Sequence, residues 1–246
     1  MRGALAAGAG ISATVAAERV SRMFGPSREP LSGGYAPGAD NLSALRSGTV
    51  ETIWSVDVDS PLVALTFDDG PQPHWTPMVL DELDRVEAPA TFFMIGEHLR
   101  ANRGLVAGRL GRHEVGNHTW SHPSTLAQQP GDQVRDQLHR AQDKIYSATS
   151  VTPTVFRSPG GAWSPTVFAE SAQARMVPLG WTEDPRDWTK PGVGAITDRL
   201  MAARPGEILL CHDGGGDRSQ TCAALNTVIP ALQARGYQFV ALDGQP

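Results

Sequence analysis

Residues 62–71, LVALTFDDGP, constrain the chain most: a short apolar run stops at two adjacent carboxylates and a Gly-Pro turn. Val63, Ala64, Leu65 and Phe67 are apolar without strict alternation, as expected of a parallel strand covered on both faces. Asp68 and Asp69 then stand at its carboxyl end, the end at which α/β barrels and open α/β sheets bind ligands. Side chains alternate along a regular strand, so the two carboxylates converge only where the strand breaks, and Gly70-Pro71 supplies a break. Taken alone, the same residues also describe a polar turn after a core strand, so the rest of the chain decides.

Short β-type runs recur along the chain at 52–56, 62–67, 90–95, 114–117, 154–156, 176–181, 207–211 and 238–242. Between them lie stretches of helical period. Residues 76–86 put Val79, Leu80, Leu83 and Val86 on one stripe, and 131–148 do so with Val134, Leu138, Ala141 and Ile145. A third helix is expected over 219–234, opened by capping residues around Asp217 and Ser219 and stopped by Gly236. Strand-helix alternation repeated about seven times predicts a parallel α/β sheet with right-handed crossovers, and a barrel is favoured over an open sheet. The glycines at 214–216 lack the spacing of a phosphate-binding loop.

The compact domain is expected to span residues 50–246. Residues 1–49 read as a leader: 1–17 resemble a weak signal peptide ending in Val-Ala-Ala, and 27–48 are a linker rich in Gly, Pro, Ser and Asn. A net charge of -5 without long runs supplies no basic footprint for nucleic acid or anionic membrane. No run approaches the roughly 18 apolar residues of a membrane-spanning helix. Cys211 and Cys222 build no disulfide framework and lie in no C-x-x-C pair, which leaves a single bridge between them open.

His118 and His122 lie four residues apart in H-T-W-S-H, just after a predicted strand. One helical turn at that spacing sets both imidazoles on one face, where they can share a metal. With one of the two aspartates they form a three-ligand set that leaves a position for water, the pattern of catalytic rather than structural zinc. The other aspartate fits a base that collects the proton of a metal-activated water. Arg157, at the end of another predicted strand, can orient that base and keep it ionised; otherwise it is a surface ion pair. His212 ends a further apolar run and suits the acid that protonates the leaving group. Asp184 or Asp187 can hold it in its charged form.

At this point the chain resembles the polysaccharide deacetylases of carbohydrate esterase family four, with their NodB-homology domain. Five motifs occur in the family's order: T-F-D-D-G-P at 66–71, H-T-W-S-H-P at 118–123, R-S-P-G-G at 157–161, D-P-R-D-W at 184–188 and L-C-H at 210–212. The resemblance covers residues 50–242 and implies a distorted barrel of about seven parallel strands. It implies that Asp68 is the general base, that Asp69, His118 and His122 hold one divalent metal, most commonly zinc, and that Arg157 orients Asp68. It further pairs Asp187 with the acid His212, lines the acetyl pocket with Leu210 and Trp188, and gives the backbone N–H of Gly160 to the oxyanion. Many members carry an aromatic residue where this chain has Gly160. Trp163, Trp75 or Trp120 are the candidates to replace that sugar-stacking wall.

The implied reaction removes acetyl from N-acetylglucosamine units of an N-acetylated polysaccharide, in peptidoglycan or chitin-like chains. A cell-wall substrate would place the protein outside the cell. The same five motifs serve acetylxylan esterases, so O-deacetylation is the alternative. A catalytically silent carbohydrate-binding domain would be expected to lose the base or the acid, yet Asp68 and His212 are both present.

Overall fold

The computed structural model describes Thr52 and residues 61–243. The expected strand at 52–56, apart from Thr52, and the leader lie outside the described residues. Seven parallel strands form one sheet: β1 (Leu62–Asp68), β2 (Thr91–Met94), β3 (Glu114–Asn117), β4 (Val155–Phe156), β5 (Val177–Pro178), β6 (Ile208–His212) and β7 (Gln238–Val240). Their order is β5-β4-β3-β2-β1-β6, and β7 pairs with the first residues of β1. The 62–68 part of the run is therefore an interior strand, flanked by β2 through Thr66, Phe67 and Asp68 and by β6 along Ala64 to Asp68.

The expected strand at 176–181 is shorter than its sequence suggested, and the reason is closure. After β5 the Leu179 N–H still bonds the Phe156 carbonyl (2.8 Å), but the Thr182 N–H turns to Ile208 (2.9 Å). A parallel bridge between Glu183 and Leu209 then joins the end of the path to β6. The sheet thus curls into a distorted barrel, as the resemblance implied.

Parity along β1 separates two interiors. Val63, Leu65 and Phe67 belong to the large apolar core under the helices, whereas Ala64 packs inside the barrel with Phe93, Leu179, Trp181 and Leu210. All of these are buried, the Val, Leu and Phe side chains each contributing on the order of 1.5–3 kcal/mol. Asp68 shares the inward parity of Ala64 and Thr66, so its carboxylate enters the barrel mouth.

The helices cover the outside. The three predicted ones appear as α1 (Trp75–Arg85), α3 (Gly131–Thr149) and α6 (Ser219–Ala234). The buried stripe of α3 is Val134, Leu138, Ala141 and Ile145, as its periodicity requires, and the helix ends at Ser150 in the left-handed region (φ 62°). At the start of α6 the Ser219 N–H is capped by the Asp217 carboxylate (3.0 Å). Three further helices, α2 (Gly96–Asn102), α4 (Pro165–Gln173) and α5 (Val193–Met201), are too short for periodicity to single them out. In α4 the Ser164 hydroxyl accepts from the Val167 N–H and Pro165 opens the first turn, an ordinary helix start. Among the described residues no helix is long and apolar enough to cross a membrane. Cys211 and Cys222 are both free, buried thiols.

Candidate active site

The strand does break where two convergent carboxylates require it. Asp69 has φ 73°, a left-handed conformation that costs a side-chain-bearing residue about 1 kcal/mol, and the reversal brings its carboxylate to the side of Asp68. Its surroundings enforce the turn. His98 Nδ1 donates to the Asp69 carbonyl (2.7 Å), and the Ile95 N–H donates to the carbonyl of Gly70 (2.9 Å). Gly214 presses on the same peptide: a Cβ there would stand 2.0 Å from the Asp69 carbonyl oxygen. A Cβ on Gly70 would likewise meet the Asp213 carboxylate at 2.3 Å. Asp213 receives the Thr76 hydroxyl (2.5 Å). Burial first, then the nearby Asp69 and Asp68 charges, push its carboxyl up to about 7.

The H-T-W-S-H segment is a loop, not the helical turn its spacing suggested. Thr119 (φ 69°) and His122 (φ 53°) are both left-handed. Side chains substitute for helical hydrogen bonds: Asn117 Oδ1 accepts the Thr119 N–H (2.8 Å), Thr119 Oγ1 the His122 N–H (3.0 Å), and Gln137 Oε1 those of Trp120 (3.0 Å) and Ser121 (2.9 Å). The loop still brings the two rings to 4.9 Å. His118 Nδ1 donates to the Arg157 carbonyl (2.7 Å), which turns its Nε2 lone pair toward the carboxylates.

Asp69, His118 and His122 fit a divalent ion. Their donor atoms all lie within 4.8 Å of one another, with Asp69 Oδ1 3.5 Å from His118 Nε2 and 3.3 Å from His122 Nε2. Donors sharing a tetrahedral ion at about 2.1 Å stand about 3.4 Å apart, a separation the two Asp69–histidine pairs already have. Asp69 Oδ1 is buried without any hydrogen-bond partner, which a carboxylate tolerates poorly unless a cation faces it.

Asp68 is held from behind. Arg157, at the end of β4 and fully buried, donates from Nη1 to Asp68 Oδ1 and Thr66 Oγ1 (2.8 Å each) and from Nη2 to the Gly180 carbonyl (2.7 Å). Its guanidinium also lies over the Phe93 ring, 4.1 Å from the centroid. A surface ion pair is thereby excluded. Burial pulls the Arg157 pKa down, and the Asp68 carboxylate opposes that pull. The other oxygen of Asp68 faces the histidines, 3.7 Å from His118 Nε2.

Register sets His212 opposite Asp68 on β6. Of the two acidic candidates beside it, Asp187 makes the contact: its Oδ1 accepts from His212 Nδ1 at 2.6 Å, while Oδ2 accepts the His212 N–H (2.9 Å) and the Thr221 hydroxyl (2.8 Å). Asp184 instead accepts the Arg186 N–H (2.7 Å). Burial alone would lower the His212 pKa, but the Asp187 charge and hydrogen bond carry it up to about 9.

Asp68, Asp69, His118, His122 and His212 line one cleft of about 430 Å³, together with Gly160, Leu210 and Trp188, while Arg157 and Asp187 are buried behind Asp68 and His212. Trp188 is 48% exposed and its wall is accessible. Two expectations fail here. Trp163 is 3% exposed, stacked on Phe168 (5.2 Å) and edge-on to Phe156 (5.6 Å), so it is core packing and offers no face to a sugar. Trp75 begins α1 and packs on the outer core, away from the cleft. Trp120 is 9% exposed under the Arg140 guanidinium (4.3 Å). Beside Trp188, the indole of Trp181 lines the cleft; nothing in its sequence singles it out, because it closes an apolar run. Asp184, Gly215 and Arg218 line it as well.

A carboxylate and an imidazole facing each other beside three donors that could hold a cation suit metal-assisted hydrolysis, and the fold is an α/β barrel. A polysaccharide deacetylase family profile matches residues 55–179. A peptidoglycan-N-acetylglucosamine deacetylase of Bacillus cereus is 42% identical over 194 residues, covering 77% of this chain and 90% of the relative. A chitooligosaccharide deacetylase of a Bradyrhizobium species is 43% identical over 191 residues, covering 72% and 87%. The crystal structure of a peptidoglycan N-acetylglucosamine deacetylase in complex with a naphthalenyl N-oxidanyl-benzamide superimposes with a TM-score of 0.73. It is 32% identical and covers 77% of this chain and 89% of that one. The chain belongs to the polysaccharide deacetylases of carbohydrate esterase family four, with the NodB-homology fold.

Proposed function

We propose that the protein hydrolyses the N-acetyl group of N-acetylglucosamine units in peptidoglycan or chitin-like chains, with zinc held by Asp69, His118 and His122. The observation that carries this reading is the unpartnered, buried Asp69 Oδ1 between two imidazole nitrogens, with Asp68 and His212 in the same cleft. When bound, the ion supplies Lewis acidity that makes water acidic and the acyl oxygen electron-poor.

The protein's own groups do the rest. Asp68, fixed by Arg157 through Oδ1, takes the proton of the attacking water on Oδ2 as its oxygen bonds the amide carbon. The Gly160 N–H donates to the oxygen on which charge develops; such a donor contributes roughly 3–4 kcal/mol in comparable sites. His212, with Nδ1 tied to Asp187, presents a protonated Nε2 and passes that proton to the amide nitrogen as the carbon-nitrogen bond breaks. Acetate and a free amine result. Leu210 and Trp188, with Trp181, wall the space for the acetyl methyl. The approach of a polymer requires an open cleft, and the exposed Trp188 suits its rim. A polymeric substrate of this kind implies export, with residues 1–49 as the leader and 50–246 as the catalytic domain.

The test is acetate release by metal-reconstituted protein from N-acetylglucosamine oligomers and from acetylated xylan side by side, with Asp68→Asn and a chelator as controls. Release from the oligomers, lost in both controls, supports N-deacetylation. Release from xylan alone moves the reading to an esterase.

A further inference from the structure

The residues that fit a cation follow two strands that are not neighbours. Asp69 comes after β1 and His118 after β3, with β2 between them in the sheet. Two strand spacings amount to about 10 Å. Asp69 Oδ1 nevertheless stands 3.5 Å from His118 Nε2 and 3.3 Å from His122 Nε2. The two segments must therefore be drawn together across the end of β2, and there β2 passes through Ile95 directly into α2.

This short helix bonds both segments. On the β1 side, three consecutive carbonyls of the turn accept from it: Asp69 from His98 Nδ1 (2.7 Å), Gly70 from the Ile95 N–H (2.9 Å) and Pro71 from the Asn102 amide (3.3 Å). His98 and Asn102 lie one helical turn apart on the same face, so their side chains reach carbonyls of one turn. On the β3 side, the Gly96 and Glu97 N–H groups donate to the carbonyls of Thr119 (3.0 Å) and Trp120 (2.9 Å), between the two histidines. First-turn donors have no partner within a helix and no side chain caps α2, so the histidine loop is its cap. Gly96 permits that approach: a Cβ there would stand 2.5 Å from the Trp120 ring. Leu99, fully buried in the large core, anchors the helix.

We propose that α2 is a brace that sets the separation of the two halves of the cation site, with His98 as the positioning residue for Asp69. Of the brace's bonds, only that of His98 comes from a side chain and ends on the carbonyl of a ligand residue. That residue is left-handed (φ 73°), a conformation its surroundings must hold. A carbonyl only accepts, so Nδ1 carries a proton in either charge state of the ring. Without this bond the turn relaxes and the Asp69 carboxylate withdraws from the imidazoles. The inference rests on the cation-site reading and not on the choice of substrate.

The test uses the full chain stripped with a chelator. Zinc affinity is measured in competition, and cobalt(II) is added separately because its visible absorption reports how its donors are arranged. His98→Ala is expected to weaken zinc about 10–100-fold and to alter the cobalt spectrum. His98→Asn, whose amide nitrogen stands near the place of Nδ1, restores most of the affinity and the native spectrum. His98→Gln, whose amide reaches instead toward the place of Nε2, does not. Native affinity and spectrum in His98→Ala would overturn the proposal. Equal losses in the Ala, Asn and Gln variants would make the ring mere packing and overturn it as well. A native protein that takes up neither metal would remove the cation site itself, and the brace with it. The expected ranking in a protein that releases no acetate supports the brace while removing the deacetylase reading.

Discussion

Replacing Asp187 with Asn removes the charge on His212 while keeping the shape. In the native protein burial pulls the imidazole down and Asp187 outweighs it, raising the pKa from 6.5 to about 9. That gap corresponds to about 3 kcal/mol in favour of the imidazolium, at about 1.4 kcal/mol per pH unit. The variant keeps the burial and loses the largest of the charges that oppose it, leaving those of Asp69 and Asp68, so its imidazole titrates well below the native value. At pH 7.5 the acid form then falls from nearly all molecules to a smaller fraction. The lost Nδ1 anchor also lets the ring turn. Together these predict a fall in kcat/KM on the order of 10² for acetate release at pH 7.5, within the range for a general acid. The native alkaline limb lies near pH 9, whereas the variant gains activity only as the pH drops toward 6.

Stability follows the same sign. A raised imidazole pKa contributes fully below 6.5 and is lost as pH rises through about 9. Urea unfolding should therefore cost the variant more at pH 6 than at pH 10, with a difference of up to about 3 kcal/mol. Titration of the His212 ring by NMR reads the pKa directly. An unchanged His212 titration, or coincident pH profiles for the two proteins, would refute the assignment of Asp187 as the residue that holds the acid.

Arg157→Ala leaves the Asp68 carboxylate and the Gly180 carbonyl buried without their donor. It is expected to destabilise by about 3–5 kcal/mol in urea titrations. Gly214→Ala places a methyl against the Asp69 and Gly70 backbone and should weaken zinc about 10–100-fold in competition with a chelator, while destabilising the fold by about 1–3 kcal/mol in urea titrations. Trp163→Ala should cost about 3–5 kcal/mol of stability with KM for the oligomer held, whereas Trp188→Ala should raise KM with little change in stability.

Much of this site was legible because its residues sit where a parallel strand ends. The apolar runs before Asp68 and His212 located both strands, and register alone sets the two residues opposite each other. What the residues left open was decided by backbone conformation. The spacing of His118 and His122 was a sound reason to bring them together, yet the link is a loop with two left-handed residues supported by Asn117, Thr119 and Gln137. Nothing in H-T-W-S-H announces those partners. The tryptophans show the other limit. An indole in sequence carries no sign of which wall it belongs to; Trp163 went to the core with two phenylalanines and Trp181 to the cleft because the barrel closes at 182–183. Asp184 and Asp187 are equally acidic and three residues apart, so spacing does not separate them; the resemblance names Asp187, and it is Asp187 that stands 2.6 Å from His212 Nδ1. The positions of His98, Asp213 and Gly214 around Asp69 come from segments far apart in the chain, so no local pattern connects them.

The most direct measurement is a zinc titration of chelator-stripped protein in which bound metal and acetate release from N-acetylglucosamine oligomers are followed together. The account predicts that both saturate at one equivalent, that His122→Ala loses both, and that Asp68→Asn binds the ion but releases no acetate. Acetate release by the stripped protein, or by Asp68→Asn at the native rate, would contradict it.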